Sequence, residues 1–159
     1  MPQSTRSQID AALFAQLVAV TWETLGSPPI AQTWAYASMH FLPWENFPNN
    51  EPAMFLRRIT EDATQARAYG LTKYMMRYEV WVYAQVPSND PTANPYDVID
   101  PIVDAIDKAV AAYPPISRNT LNNLPGIDNC YLSGQIIVAD GTDDGQSVVR
   151  IPLVVVTGI

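Results

Sequence analysis

The chain has 159 residues, 48% of them hydrophobic and 16% charged, with a net charge of −7 at neutral pH. That length suits one domain, expected over residues 1–159, with one core. No run of eighteen apolar residues offers a membrane span, and the N-terminus MPQSTRSQIDAALF is too polar for a signal peptide, so the protein is expected to stay in a cytosol-like compartment.

A charged share below the usual ~25% and 14 prolines suit a surface given over to partners, or an ordinary domain with long Pro-rich loops. The charge is unevenly placed. Residues 1–77 carry Arg6, Arg57, Arg58, Arg67, Lys73 and Arg77 against six acidic residues, whereas residues 78–159 carry three basic and ten acidic ones and hold the whole −7. Opposite charge on two faces favours head-to-tail association. The same balance argues against direct nucleic-acid binding.

The first expected element is a helix capped by Ser4 or Ser7, with Ile9, Leu13, Leu17 and Val20 on one face, ended by Gly26-Ser27-Pro28-Pro29. An aromatic-rich strand follows over 32–42, then a loop with three prolines. A second strand covers 53–60, EDATQARAYG is a flexible connection, and a long strand runs over 71–86. From Tyr74 to Val86 the even positions are Tyr74, Met76, Tyr78, Val80, Val82, Ala84 and Val86; the odd ones are Met75, Arg77, Glu79, Trp81, Tyr83 and Gln85. Only a period of two separates these sets. Trp81 and Tyr83 beside Arg77 and Glu79 make a mixed face that suits a covering helix or a partner subunit.

A loop over 87–95 leads to a second helix with Val98, Ile102, Ile106, Ala109 and Val110 as apolar positions. Either Asn94 caps it, with Pro95 first and a kink at Pro101, or Asp100 caps a shorter helix; Tyr113-Pro114-Pro115 closes it. Runs over 130–139 and 146–157, joined by DGTDDG, form a hairpin. Val149, Ile151, Leu153 and Val155 share one face of the last run, and Pro152 assigns that strand to a sheet edge. The order α-β-β-β-α-β-β gives an α+β fold: a mainly antiparallel sheet of about five strands with two helices packed on one side. No internal repeat is present.

No catalytic, cofactor-binding or metal-binding residue emerges. His40, the single histidine, stands between Met39 and Phe41 without triad partners and reads as a packed or interface residue. Cys130 cannot form an intrachain disulfide, reads as a core residue, and with His40 makes no metal cluster. Asp140, Asp143 and Asp144 miss the EF-hand spacing and read as a solvated turn. Neither GxGxxG nor GxxxxGK[ST] occurs. A small-molecule pocket leaves no sequence trace.

PAMFLRR feeding KYMMRYEVWVYA, the segment NPYDVIDPIVDAIDKAV, and NTLNNLPGIDNCYLSGQI followed by an acidic Gly turn and RIPLVVV resemble tail terminator proteins of tailed bacteriophages, also described as tail-completion or neck proteins. The element order is similar to the lambda-like tail terminator fold, over residues 5–157. Asn122-Asn123 stands where a glycine pair is common in that pattern. The resemblance implies a structural virion protein without catalysis. It would form a hexameric ring on the last tail-tube ring, stop tube polymerisation and join the head connector or stopper. The genome would pass through without sequence-specific binding, and assembly would occur in the bacterial cytoplasm without a membrane. Alternatives are another head–tail connector ring such as a stopper, a tail-tube subunit, or a small-ligand binding module. Arg57, Arg58 and Arg77 against Asp143 and Asp144, with Trp81 and Tyr83, are the candidate subunit contacts.

Overall fold

The computed structural model describes residues 4–42, 51–65, 72–86, 92–110, 118–139 and 145–157. Helix α1 spans Arg6–Val18. Its cap is Thr5, not Ser4 or Ser7: the Thr5 hydroxyl accepts from Gln8 N–H at 3.2 Å, and Gln8 Oε1 accepts from Thr5 N–H at 2.7 Å. This reciprocal box satisfies two orphan donors at once, which a lone serine cannot do. Ser4 instead donates through both N–H and hydroxyl to the Pro125 carbonyl.

The helix stops at Val18, well before Gly26. The Gly-Ser-Pro-Pro signal marks the turn of a small antiparallel hairpin instead, β1 (Trp22–Glu23) with β2 (Ala31–Gln32). The aromatic strand expected over 32–42 is reduced to the end of β2 and to β3 (Tyr36–Ser38), which pairs in parallel with residues 53–55.

β4 (Ala53–Gln65) and β5 (Thr72–Gln85) form a long antiparallel pair. The strand therefore continues through Glu61 to Gln65, where a flexible connection was expected. The acidic residues there are not left to solvent: Glu61 meets Arg6 and Arg58, and Asp62 meets Arg77. A register shift between Arg58 and Thr60 makes Ile59 the extra residue of a bulge. Past the bulge the faces exchange, so Glu61 shares a face with Arg58 and Asp62 with Arg77.

α2 spans Tyr96–Val110 and carries Pro101 inside it. Asn94 Oδ1 accepts from Tyr96 N–H at 3.1 Å, which selects the Asn94-capped alternative. The expected closure at Tyr113 lies outside the described residues.

β6 (Ile127–Leu132) and β7 (Ile137–Ala139) both pair antiparallel with β8 (Gln146–Thr157), whose other side pairs with β5. The strand order is β3-β4-β5-β8-β6, with β7 also on β8. β8 is therefore a central strand, and the edge assignment drawn from Pro152 is wrong. Ser133 N–H donates to the Pro152 carbonyl at 3.1 Å, so Pro152 turns both backbone groups toward the gap between β6 and β7. The missing N–H falls in that gap and no ladder bond is lost.

Among the described residues, eight strands in two sheets replace the single sheet of about five: the aromatic run and the 130–139 run are each interrupted, and β1 forms where the first helix was expected to continue. The mostly antiparallel α+β architecture with two helices against the sheet stands. Ile9, Leu13 and Leu17 of α1 and Ile99, Ile102 and Ile106 of α2 pack on the face formed by the even residues of β5 and by Val149, Ile151, Leu153 and Val155 of β8.

Candidate assembly interface

The odd residues of β5 face away from both helices. Register places Tyr83 between Ala53 and Val148, Trp81 between Phe55 and Arg150, Glu79 between Arg57 and Pro152, and Arg77 between Thr60 and Val154. One end of this face is aromatic and covered by the chain itself. Phe41 stands edge-on to Phe55 and Trp81, with ring centroids 5.6 and 5.1 Å apart, and Tyr36 leans on Phe55 at 5.8 Å. Ala53, Phe55 and Tyr83 are buried beneath them. Among the described residues no helix covers these rings; Tyr36 of β3 and Phe41 and Leu42 just after it pack on them, and Tyr83 is buried.

Cations ring this cluster. The Arg57 guanidinium sits 5.1 Å from the Phe41 centroid and that of Arg150 5.7 Å from Trp81. Trp81 Nε1 donates to Glu79 at 3.0 Å, and Arg150 Nε lies 3.8 Å from the same carboxylate. Farther along, Arg77 Nε meets Asp62 at 3.3 Å with both side chains substantially exposed. A pair so exposed contributes about 0–1 kcal/mol, so Arg77 can exchange Asp62 for another carboxylate at little cost.

Arg58 belongs to the opposite face. It lies 3.3 Å from Asp10 of α1 and 3.5 Å from Glu61, and Arg6 binds Glu61 at 2.8 Å. The Tyr78 hydroxyl donates to Asp10 at 2.6 Å. Burial, and secondarily that bond to Asp10, pushes the Tyr78 phenol well above its ordinary range. These groups fasten α1 to β4 and β5. Arg57, Arg77 and Trp81 therefore share one surface and Arg58 does not, while Asp143 and Asp144 lie outside the described residues.

The two edges of the large sheet are unlike. Beyond β3, β4 presents an edge carrying Arg57, Arg58, Glu61 and Asp62 and broken by the Ile59 bulge, a pattern that resists casual strand addition. β7, on the far side of β8, is short and uncharged, and Ile136, Ile137 and Val138 are 44%, 44% and 40% exposed. Among the described residues no further strand covers either edge. Nothing in the sequence distinguished β7 from a buried strand, since an apolar run reads the same in both places.

His40 is exposed just after β3, its N–H donating to Ser38 Oγ at 2.9 Å. Cys130 is buried, and that burial pushes its thiol up to about 12. Leu121, Asn122 and Asn123 all take left-handed conformations, with φ of 52°, 60° and 62°. Asparagine accepts that region more readily than most residues, so the pair fits the turn in which glycines were expected. Asn119, buried just before it, was missed: its side chain bonds Gln16 of α1, the Val110 carbonyl and Leu121 N–H.

The chain matches no protein-family model and no curated protein sequence.

Proposed function

We propose that this protein is a structural subunit of a closed ring at the end of a phage tail tube, where it stops tube polymerisation and joins the tail to the head connector. The observation that carries the reading is the pair of dissimilar open edges on one sheet, apolar at β7 and charged and bulged along β4. Unlike surfaces on one protomer join heterologously, and heterologous contacts close into rings when the rotation permits. Arg57, Arg77 and Trp81, close to the β4 edge on the helix-free face, are its candidate subunit contacts, with Asp143 and Asp144 assigned to the neighbouring subunit. The ring is hexameric in this reading, and its acidic excess repels the phosphates of the genome passing through it.

Electron microscopy of particles made by a phage lacking this gene tests the proposal. Overlong or unjoined tails beside filled heads are expected. Tails of normal length left unjoined would identify a stopper ring instead, and normal infectious particles would end the assembly reading. On the purified protein, Ile137→Lys should abolish oligomers in light scattering while leaving circular dichroism unchanged.

A further inference from the structure

β3 pairs only with Ala53, Met54 and Phe55 of β4, and from Arg57 to Thr64 every residue is exposed except the half-buried Glu61. Ala35 N–H donates to the Pro52 carbonyl at 2.9 Å, so the backbone groups of Pro52 point away from β5. Alternation along the strand turns those of Arg58 the same way, toward the uncovered edge. The bulge carries the pattern past Ile59. Arg58 stands opposite Tyr78 and Thr60 opposite Arg77, adjacent residues of β5, so Thr60 follows Arg58 in the alternation and Glu61 again faces the edge.

The charges on this edge deter an arbitrary strand, but they match one sequence. Run antiparallel to itself, RRITED sets Arg57 against Asp62 and Arg58 against Glu61, each twice. In a regular strand such partners would point to opposite faces, because an odd number of steps separates them. The bulge removes one step. Arg58 and Glu61 share the helix face, Arg57 and Asp62 share the other, and a two-fold axis normal to the sheet at the bulge brings each pair together on its own face. The backbone agrees: Arg58 and Glu61 both face the edge and would exchange about four hydrogen bonds across it. Arg57 lies over the Phe41 ring, and among the described residues no carboxylate pairs with it, while Asp62 remains substantially exposed in its contact with Arg77.

We infer that this edge receives the same edge of a second copy of the chain, β4 antiparallel to β4, in an isologous dimer. Arg57 of each copy meets Asp62 of the other, and Thr60 meets Thr60 at the axis. A contact of six residues per strand lies at the weak, transient end of the range, so the dimer forms at about 100 µM and is absent from dilute solution. The inference does not rest on the ring reading. A two-fold contact closes at two chains, and where β4 also serves a ring the dimer is the form of the free chain.

Sedimentation of the full chain up to about 1 mM tests the pairing through charge reversal. Arg57→Asp and Asp62→Arg each place like charges opposite one another and should weaken self-association at least ~10-fold. Mixing the two variants restores both opposite-charge pairs, so a dye-labelled Arg57→Asp chain should dimerise with Asp62→Arg at about the wild-type concentration. A folding defect would not be rescued in this way. Thr60→Cys fixes the register: the axis sets the two cysteines about 4.5 Å apart at Cα, within disulfide range, and mild oxidation should yield a covalent dimer, with Cys130 buried and out of reach. No dimer by about 1 mM, or no rescue on mixing, would overturn the inference. Oligomers in which Thr60→Cys does not cross-link would place another surface on this edge and overturn it equally. Rings sediment as a separate, heavier species, so failure of this pairing and failure of the ring reading are read apart.

Discussion

The placement of Pro152 in a central strand rests on the close approach of Gly134, and replacing that glycine is the sharpest test of the fold. Gly134 has φ of +127°, and a Cβ built there would stand 3.0 Å from Pro152 Cγ and 3.3 Å from Pro152 Cβ. A proline ring cannot rotate away. Gly134→Ala therefore incurs about 1–3 kcal/mol of backbone strain and a similar overpacking term. Residues 133–136 are exposed and absorb part of this by shifting. The net expectation is ~2–3 kcal/mol, a melting temperature lower by roughly 4–12 °C for a chain of this size. Urea denaturation followed by circular dichroism measures it, with Pro152→Ala as the partner variant. Pro152→Ala alone should cost under ~1 kcal/mol, because the restored N–H points into the gap between β6 and β7. The double variant should be more stable than the sum of the single effects by ~1 kcal/mol, since the alanine at 134 then meets a methyl group and not a ring. A neutral Gly134→Ala, or strict additivity, would refute the packing argument.

Tyr78→Phe removes the bond to Asp10 and should lower stability by about 1.5–3 kcal/mol in chemical denaturation, while leaving oligomerisation unchanged. Charge reversal should separate the arginines: Arg58→Glu destabilises the protomer by breaking the contacts of β4 with α1, whereas Arg77→Glu changes stability by less than ~1 kcal/mol and weakens assembly in light scattering. Cys130, its thiol raised from 9.0 to about 12, should resist a thiol-reactive dye at pH 8 until denaturant is added; the stability it contributes is full below pH 9 and is lost as pH climbs toward 12. Glu51 binds its proton more tightly folded than unfolded, so its share of stability is full below the ordinary carboxyl value of 4.5 and declines as pH rises from there through the folded value. Glu51→Gln should flatten that slope in pH-dependent melting, and an unchanged slope would remove Glu51 from the account.

The elements that sequence made legible are those whose periodicity is a direct image of burial. The alternation of β5 assigned Met76, Tyr78, Val80 and Val82 to the core because every second residue of a strand shares a face, and Asn94 was legible as one of two candidate caps because its side chain acts locally. Where long-range partners decide, the local signal misled. EDATQ carries two acids and reads as a loop, yet Arg6, Arg58 and Arg77 neutralise them and β5 supplies a ladder. Pro152 reads as an edge residue until the Ser133–Gly134 gap accommodates it. A cavity of about 360 Å³ draws its walls from the β1–β2 hairpin, β5, α2 and the residues before β4, and no local window contains them. Arg57 and Arg58 look equivalent in the chain and lie on opposite faces, since adjacent strand residues always do.

The acidic excess becomes intelligible only once the basic residues are located. Arg6, Arg58, Arg77, Arg118 and Arg150 each face a carboxylate of their own chain. On α2, by contrast, Asp97, Asp100, Asp104 and Asp107 are all exposed and recur at spacings of three and four, forming a single stripe. Like charges so spaced destabilise a helix by a few tenths of a kcal/mol per pair, so the stripe does not serve helix stability. In the proposed ring a lumen-facing stripe would repel the phosphates of the genome, whereas an outward one would meet a basic partner. One surface cannot do both in the same ring. Replacing Asp97, Asp100, Asp104 and Asp107 by asparagine therefore reports the orientation of α2 in the proposed ring: slowed genome ejection means a lumen-facing helix, and unchanged ejection means an outward one.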